Sequence, residues 1–499
     1  MNVKVHAAIR AVVKAWVIIN FLIMSQWSMA LGVPDLLNDP LLTRPPALDA
    51  GTTLRGDASP VACPVEADFA QPLSLTTAVG VGLCHNPQVQ GAWAGIRQRA
   101  AALGEARSAY LPTLTGSVSQ LRNRTGYPGL PSSDSANHGH TTYAAFNLRL
   151  FDFGERAANR VAANDLLAAA LSSYDAATQT ALADIIGAWF DVQTAQAALA
   201  ARGFDRQYAG MTLVTAQRRE RTGATGRNDT LQASTALARA ELAEHRATGD
   251  VRKAQAALVY AMGVTPGTTV VLPPDSTPLP DEAIQDLSHW LQFAKWHHPA
   301  IAAAHNEWNA AEEKVSGVRA QGLPTVDFGV NWYQNGYPNQ GLQPVRSNTT
   351  TIGITVTIPL FEGFTRTYKI RQAQAEADQS EVKIQETEQQ VLREVVKAHA
   401  DALSSLANLD SSAGLVRTAE AALSSSRNRY EHGVADIVEL LNAQTALADA
   451  HQERIRCTAE WRSARLRLLA DTGLLGTDAV RELSTLGEVK ERVEKEIWP

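Results

Sequence analysis

Two stretches of this sequence match each other: GVADIVELLNAQTAL at residues 433–447 and GATGRNDTLQASTAL at residues 223–237. They share Gly, Leu, Ala and Thr-Ala-Leu in one register, 210 positions apart. The same offset relates LFDFGER at 150–156 to LFEGFTR at 360–366. Because similarity at a fixed offset is typical of a duplicated structural unit, the sequence predicts two repeats, over residues 73–267 and 287–477.

Four segments lie outside the repeats. Residues 1–30 have the layout of a secretory signal peptide, with basic residues, an apolar run and the small-x-small sequence Ser28-Met29-Ala30. A membrane anchor is the alternative, but it needs about 18 or more apolar residues, and Asn20 and Ser25 interrupt this run. The other segments are an extended lead-in over 31–72, a proline-rich linker over 268–286 and a C-terminal tail over 478–499.

The composition favours long helices. Charged residues make up only 19% of the chain and the net charge is −6, so nucleic acid is not an expected partner. Alanine, the best helix former, is abundant, whereas aromatic residues make up 6%. No proline lies within 155–221 or 365–431. Each of these stretches is therefore predicted to form one uninterrupted helix, roughly 100 Å long at about 1.5 Å per residue.

The second long helix has a predicted seam that is only partly hydrophobic. The residues that recur at helical spacing include polar ones, and they are Val382, Gln385, Gln389, Leu392, Val396, His399 and Leu403. A wide helical tube with a wet interior tolerates such a seam, and a dry core does not.

Each repeat also contains a predicted β-hairpin, with strands at about 113–122 and 141–151, and at about 325–334 and 350–360. In TVDFGVNWYQ and TTIGITVTIPL, the two strands of the second repeat, apolar and polar residues alternate. Ribbons packed on a soluble core are one interpretation. The other is a transmembrane β-barrel, whose strands have about 9–11 residues. Since a barrel needs about eight strands to close, several chains would have to contribute.

These features together resemble the TolC-type outer-membrane channels of Gram-negative efflux pumps and type I secretion systems. The resemblance rests on the duplication, on YLP and GLP before the hairpins, on LFDFG and LFEG after them, and on RYEHGVADIVELLNAQTALADA at 429–450. It implies a mainly α-helical fold with a transmembrane β-barrel. Three identical chains would form a twelve-stranded outer-membrane barrel and a long periplasmic α-helical barrel, without a cofactor.

The resemblance also implies partners. These are the lipid of the outer membrane, a periplasmic adaptor protein, and an inner-membrane ATP-binding exporter or proton-driven pump. The long lead-in and the N-terminus without a lipidation cysteine resemble the cyclolysin-type, CyaE-like, proteins of type I secretion. Export of a protein toxin is therefore the expected function, and drug efflux is the alternative.

A gate is implied where each long helix turns into the next. Gly223 and Gly433 are expected to make these turns at the periplasmic tip of the tunnel. Because Asp229 and Glu439 occupy equivalent repeat positions, three chains would bring up to six carboxylates together, and such a ring attracts cations. The alternative is that both acids only stabilise helix N-termini. By resemblance, the residues that form the gate are Asp229, Tyr430, Glu439 and Asn442, and Tyr430→Phe is expected to raise conductance.

The sequence departs from the family pattern at two gate positions. Asn442 replaces a second acid, and Ala435 stands where the family has the arginine that pairs with the aspartate. The acidic ring is therefore expected to be weaker, and the cation that holds the closed tip is expected to be Arg227 or Arg429.

Cys63 and Cys84 are predicted to form a disulfide, because they are close in sequence and the periplasm is oxidising. In the chain-entropy model a loop of this size contributes about 3 kcal/mol. Two buried free thiols are the alternative.

Two other classes of protein, a metalloenzyme and a coiled-coil adhesin, fit the sequence less well. Histidines at His138, His140, His297 and His298 could bind a metal, but no acid or cysteine stands at ligand spacing, so neither an enzyme nor a metal site is expected. A trimeric coiled-coil adhesin would show sustained heptads instead of duplicated hairpins.

Overall fold

The structure is a computed structural model that describes residues 39–44, 69, 71–125, 135–273, 286–335 and 347–476. The predicted signal peptide and C-terminal tail lie outside these residues, as do most of the lead-in and of the linker. The described chain divides into two compact units. One contains a β-sheet with the helix ends next to it, and the other contains most of the helical residues.

The first unit contains a four-stranded antiparallel sheet with the order β1-β2-β3-β4. The strands are β1 Thr113–Thr125, β2 Ser135–Phe151, β3 Thr325–Gln334 and β4 Asn348–Thr357. Strands β1 and β2 are longer than predicted. Their backbone hydrogen bonds continue through polar residues, beyond the segments in which apolar and polar side chains alternate. Strand β4 ends at Thr357 rather than at the predicted residue 360, because Pro359 has no N–H to donate to a ladder.

The register gives the sheet one apolar and one polar face. Phe328 on β3 lies opposite both Leu148 on β2 and Ile354 on β4. On the other face Arg149 forms an ion pair with Asp327, with its Nε 3.0 Å from Oδ1. In the single chain much of the apolar face is exposed, with Ile354 65% accessible to solvent. A contiguous apolar surface of this kind indicates contact with a nonpolar phase or a partner.

Two arginines at equivalent repeat positions hold the junctions between the sheet and the helices. Arg156 donates to the carbonyl of Ala109 at 3.3 Å. Arg366 donates to the carbonyls of Gly322 at 2.9 Å and Arg319 at 3.0 Å. Each guanidinium thus satisfies carbonyls that the end of the preceding helix leaves without a helical partner.

The described residues form eight helices in the order that the duplication predicts. They are α1 Leu75–His85, α2 Pro87–Ser108, α3 Glu155–Arg221, α4 Arg227–Ala261, α5 Leu287–His297, α6 Pro299–Ala320, α7 Thr365–Glu431 and α8 Ile437–Asp471. Helices α3 and α7 have 67 residues each, which confirms the prediction from the proline-free stretches. None of the helices in the described part of the chain has the length and apolarity to cross a bilayer.

The second unit buries the same positions in both repeats. Ile185 on α3 and Leu258 on α4 lie in one apolar cluster, together with residues of α1. Their equivalents, Val395 on α7 and Leu468 on α8, lie in a second cluster together with residues of α5. Each repeat therefore packs its short first helix against its long helix and its last helix.

The predicted seam on α7 is only partly buried: His399 is buried, and Leu392 packs against the second cluster. Val382 is 62% exposed, Val396 43% and Leu403 48%. The buried face runs along Ile384, Val391, Val395, Ala398 and Ala402. The two alanines lie outside the predicted seam, because a small side chain permits close helix contact but gives a weak hydrophobic signal in the sequence.

The cysteines differ in state. Cys84 on α1 is disulfide-bonded. Cys457 on α8 is a buried free thiol. Cys63 lies outside the described residues, so the pairing of Cys63 with Cys84 stays a prediction.

Candidate functional site at the helix tips

Both long helices turn into the next helix through the same five-residue loop, at 222–226 and 432–436. Gly223 and Gly433 adopt left-handed backbone angles, with φ of +77° and +72°. The N–H of Ala224 donates to the carbonyl of Arg219, and the N–H of Val434 donates to that of Arg429. This Schellman motif ends each helix, and it favours glycine because a Cβ is strained at positive φ.

In the second tip, Glu439 is held by its own hairpin. Its N–H donates to Asp436 Oδ1 at 2.8 Å, which caps α8. Its Oε1 accepts hydrogen bonds from Arg429 Nη1 at 3.0 Å and from the hydroxyl of Ser426 at 3.3 Å. The Arg429 and Glu439 side chains are 52% and 36% exposed. The carboxylate is thus partly neutralised, and solvent screens the pair.

Tyr430 is the buried anchor of the second tip. It is only 1% exposed and packs with Leu423, Ile437 and Leu440. Burial, together with the negative charge of Asp229, raises the pKa of the Tyr430 phenol above its ordinary value, so the group is neutral at physiological pH. The buried hydroxyl has no hydrogen-bond partner among the described residues. Among the described residues, Tyr430→Phe would therefore remove no hydrogen bond, and the expected rise in conductance stays a prediction.

The cation that reaches Tyr430 is Arg219, from the end of α3. Its guanidinium carbon lies 4.7 Å from the centre of the Tyr430 ring, and its Nη1 donates to the Tyr430 carbonyl. Neither of the two predicted cations makes this contact: Arg429 pairs with Glu439, and Arg227 is exposed. The repeat offset could have identified Arg219, because Arg219 is the equivalent of Arg429.

Asp229 and Asn442, the other predicted gate residues, do not join this contact by a described hydrogen bond. Asp229 is half-buried in the first turn of α4. Asn442 is exposed on α8 and lines a cleft of about 770 Å³, together with Asn228 and Asp205. Ala435 is half-buried and packs against the apolar cluster around Tyr430.

Two of the four predicted histidines occupy structural positions, whereas His138 and His140 are exposed on β2. His298 Nδ1 accepts from the Ala300 N–H at 3.2 Å and so caps the start of α6, and burial lowers the pKa of His298 to about 4. His297 stacks on Phe293, with ring centres 4.3 Å apart. Within the described residues, no three His, Cys, Asp or Glu side chains are grouped to hold a metal ion.

Comparison with known proteins identifies the family. A family model described as "Outer membrane efflux protein" matches residues 80–264 and 290–474, one match in each repeat. The chain belongs to the outer membrane efflux protein family. The resemblance to TolC-type channels is therefore confirmed. As a member of the outer membrane efflux protein family, the protein is an outer-membrane channel, and both family and fold are those of channels rather than enzymes.

Individual family members agree over most of the chain. Protein CyaE of Bordetella pertussis is 35% identical over 444 residues, which cover 88% of this chain and 91% of the relative. Outer membrane efflux protein BepC of Brucella suis is 25% identical over 407 residues, 81% of this chain and 86% of the relative. The first of these bears out the resemblance to CyaE-like proteins.

A solved structure of the same fold is outer membrane protein VceC of Vibrio cholerae. It superimposes with a TM-score of 0.70 at 20% identity, over 80% of this chain and 96% of VceC. At this level of identity the match establishes the fold.

Proposed function

We propose that three copies of this chain form one outer-membrane channel. A single chain contributes an open four-stranded sheet, and about eight strands are the minimum for a closed barrel. Three sheets paired through β1 and β4 give twelve strands. This arrangement satisfies the two strand edges, which would otherwise expose unpaired backbone groups in lipid, and it turns the apolar faces outward.

We further propose that the channel exports a protein in type I secretion, with a periplasmic adaptor and an inner-membrane ATP-binding exporter. The observation that carries this proposal is the 35% identity to CyaE over 91% of that relative, together with the resemblance to CyaE-like secretion proteins. Drug efflux with a proton-driven pump is the second candidate. It is favoured by the match to BepC, at 25% identity.

Deletion of the gene in its native host separates these two functions. Proteins in the culture medium and susceptibility to dyes and antibiotics are measured in the deletion strain and in the same strain carrying the wild-type gene. Type I secretion predicts that at least one large protein disappears from the medium and returns with the gene, with susceptibility unchanged. An unchanged set of secreted proteins with increased susceptibility would assign the channel to efflux.

The helix tips are the proposed narrowing of this channel. Glycine turns end both long helices at equivalent positions, and acids begin both following helices. In a trimer these six turns would encircle one opening. Glu439 would contribute negative charge to the opening, reduced by its ion pair with Arg429.

Opposite effects on ion selectivity are expected from the two members of that pair. Glu439→Ala should lower the preference for cations, and Arg429→Ala should raise it, because the carboxylate is then unpaired. Each change is expected to be about twofold in the permeability ratio, since an exposed ion pair contributes only about 0.2–1 kcal/mol. The reversal potential of single channels in a salt gradient measures this ratio.

Glu460→Ala is the matched control for the selectivity measurement. Glu460 lies on the same helix and pairs with Arg456, but it is about 30 Å from Glu439 at 1.5 Å per residue. Its removal should leave the reversal potential unchanged. Equal reversal potentials in the wild type and in both tip variants would show that Glu439 does not lie at the narrowing.

A further inference from the structure

The two tips of the chain are chemically unequal although they are equivalent in sequence position. In the second tip Arg429 bonds to Glu439 of its own hairpin. In the first tip the acid at the matching position is Asp229, which is one methylene shorter, and Arg219 instead contacts Tyr430 of the other hairpin. The first tip therefore supplies a cation to the second.

Arg219 contacts two groups of Tyr430, the aromatic ring and the backbone carbonyl. Its guanidinium covers the ring face at 4.7 Å from the centre, an arrangement in which the ring quadrupole attracts a cation. The same guanidinium donates to the Tyr430 carbonyl in the last turn of α7, where the helix dipole favours positive charge. Because Tyr430 is 1% exposed, Arg219 binds a tightly packed residue of the second hairpin.

A second polar contact between the hairpins lies farther from the turns. Gln444 on α8 donates to the Thr212 hydroxyl on α3 at 2.6 Å. Thr212 is seven residues, or about two helical turns, before Arg219. Of these two contacts between the hairpins, the one made by Arg219 lies at the turns.

We propose that Arg219 is the positioning residue that keeps the tip closed, by holding the first hairpin against Tyr430 of the second. It replaces, from the opposite hairpin, the arginine that the family pattern expects at Ala435. Opening then requires the guanidinium to leave the Tyr430 ring and carbonyl. This inference rests on the proposed function, in which the tips surround the narrowing.

Single-channel recording of purified complexes tests the proposal. Arg219→Ala should raise the ratio of open to closed dwell times about fivefold or more, the scale of a coupling between two states. Arg218→Ala removes an exposed neighbouring cation and should gate like the wild type.

The outcomes distinguish the inference from the function on which it rests. A wild-type protein that forms no channels would reject the proposed function. If the wild type conducts and Arg219→Ala gates identically, Arg219 does not hold the tip and the inference is overturned. If Arg219→Ala does not assemble, Arg219→Gln, which keeps a long polar side chain without charge, takes its place, and unchanged gating in that variant overturns the inference equally.

Discussion

Ile354→Arg is expected to abolish assembly of the channel in the outer membrane. Ile354 lies on the apolar face of β4, opposite Phe328, and it is 65% exposed in the single chain. On a lipid-facing position near the bilayer midplane an arginine costs about 2–4 kcal/mol, and the proposed trimer contains this cost three times. The amount of heat-dissociable complex extracted from outer membranes measures the effect.

Thr355→Arg provides the matched control one residue further along β4. Thr355 faces the polar side, opposite Asp327, where the charge of an arginine does not have to enter lipid. This variant should assemble like the wild type. Equal assembly of Ile354→Arg and Thr355→Arg would show that the apolar face does not meet lipid.

Gly263→Ala is expected to destabilise the helical unit strongly. Gly263 ends α4 with a φ of +68°, and a Cβ there would lie 2.4 Å from the His85 carbonyl oxygen, a backbone atom at the junction of α1 and α2. The left-handed conformation costs alanine about 1–2 kcal/mol, and overpacking adds about 1–3 kcal/mol. The midpoint of thermal unfolding, followed by far-ultraviolet circular dichroism, should fall accordingly.

Gly267→Ala separates the two contributions. Gly267 also has a positive φ, of +95°, but a Cβ there meets no atom within 4 Å. It should lower the unfolding midpoint less than Gly263→Ala does. Equal midpoints for the two variants would mean that the contact with His85 does not add to the destabilisation by Gly263→Ala.

The elements that the sequence predicts well are those whose signals are local or repeated. The proline-free stretches become α3 and α7 with the predicted ends, because a helix this long needs only the absence of a breaker and steady propensity. The alternation in β3 and β4 gives the apolar face, because side chains on a strand alternate between faces. The offset of 210 residues correctly relates the glycine turns of the two tips.

The features that sequence reasoning missed depend on contacts between distant residues. The buried face of α7 contains Ala398 and Ala402, which periodicity weighted by side-chain size does not detect. Arg219 could not be told from Arg218 or Arg221 by composition, since all three lie in the last turn of α3. The repeat offset marks Arg219 as the equivalent of Arg429, but only the packing of the two hairpins shows that Arg219 contacts Tyr430.

The residues with left-handed backbone angles before the long helices are also not predictable from local sequence. Positive φ occurs at Phe153 and Gly154 in the first repeat, and at Gly363 and Phe364 in the second. The sequence has its glycine at the second of these positions in one repeat and at the first in the other. The glycine signal alone would therefore assign different turns to two backbones that adopt left-handed angles at the same two positions.

The mass of the intact complex is the most direct test of the central claim, that three copies of this chain form one outer-membrane channel. The wild-type protein is extracted from outer membranes in mild detergent, and its mass is determined by light scattering with correction for bound detergent. We expect a protein mass of three mature chains. A mass of one chain, in protein that still forms channels in a bilayer, would contradict it.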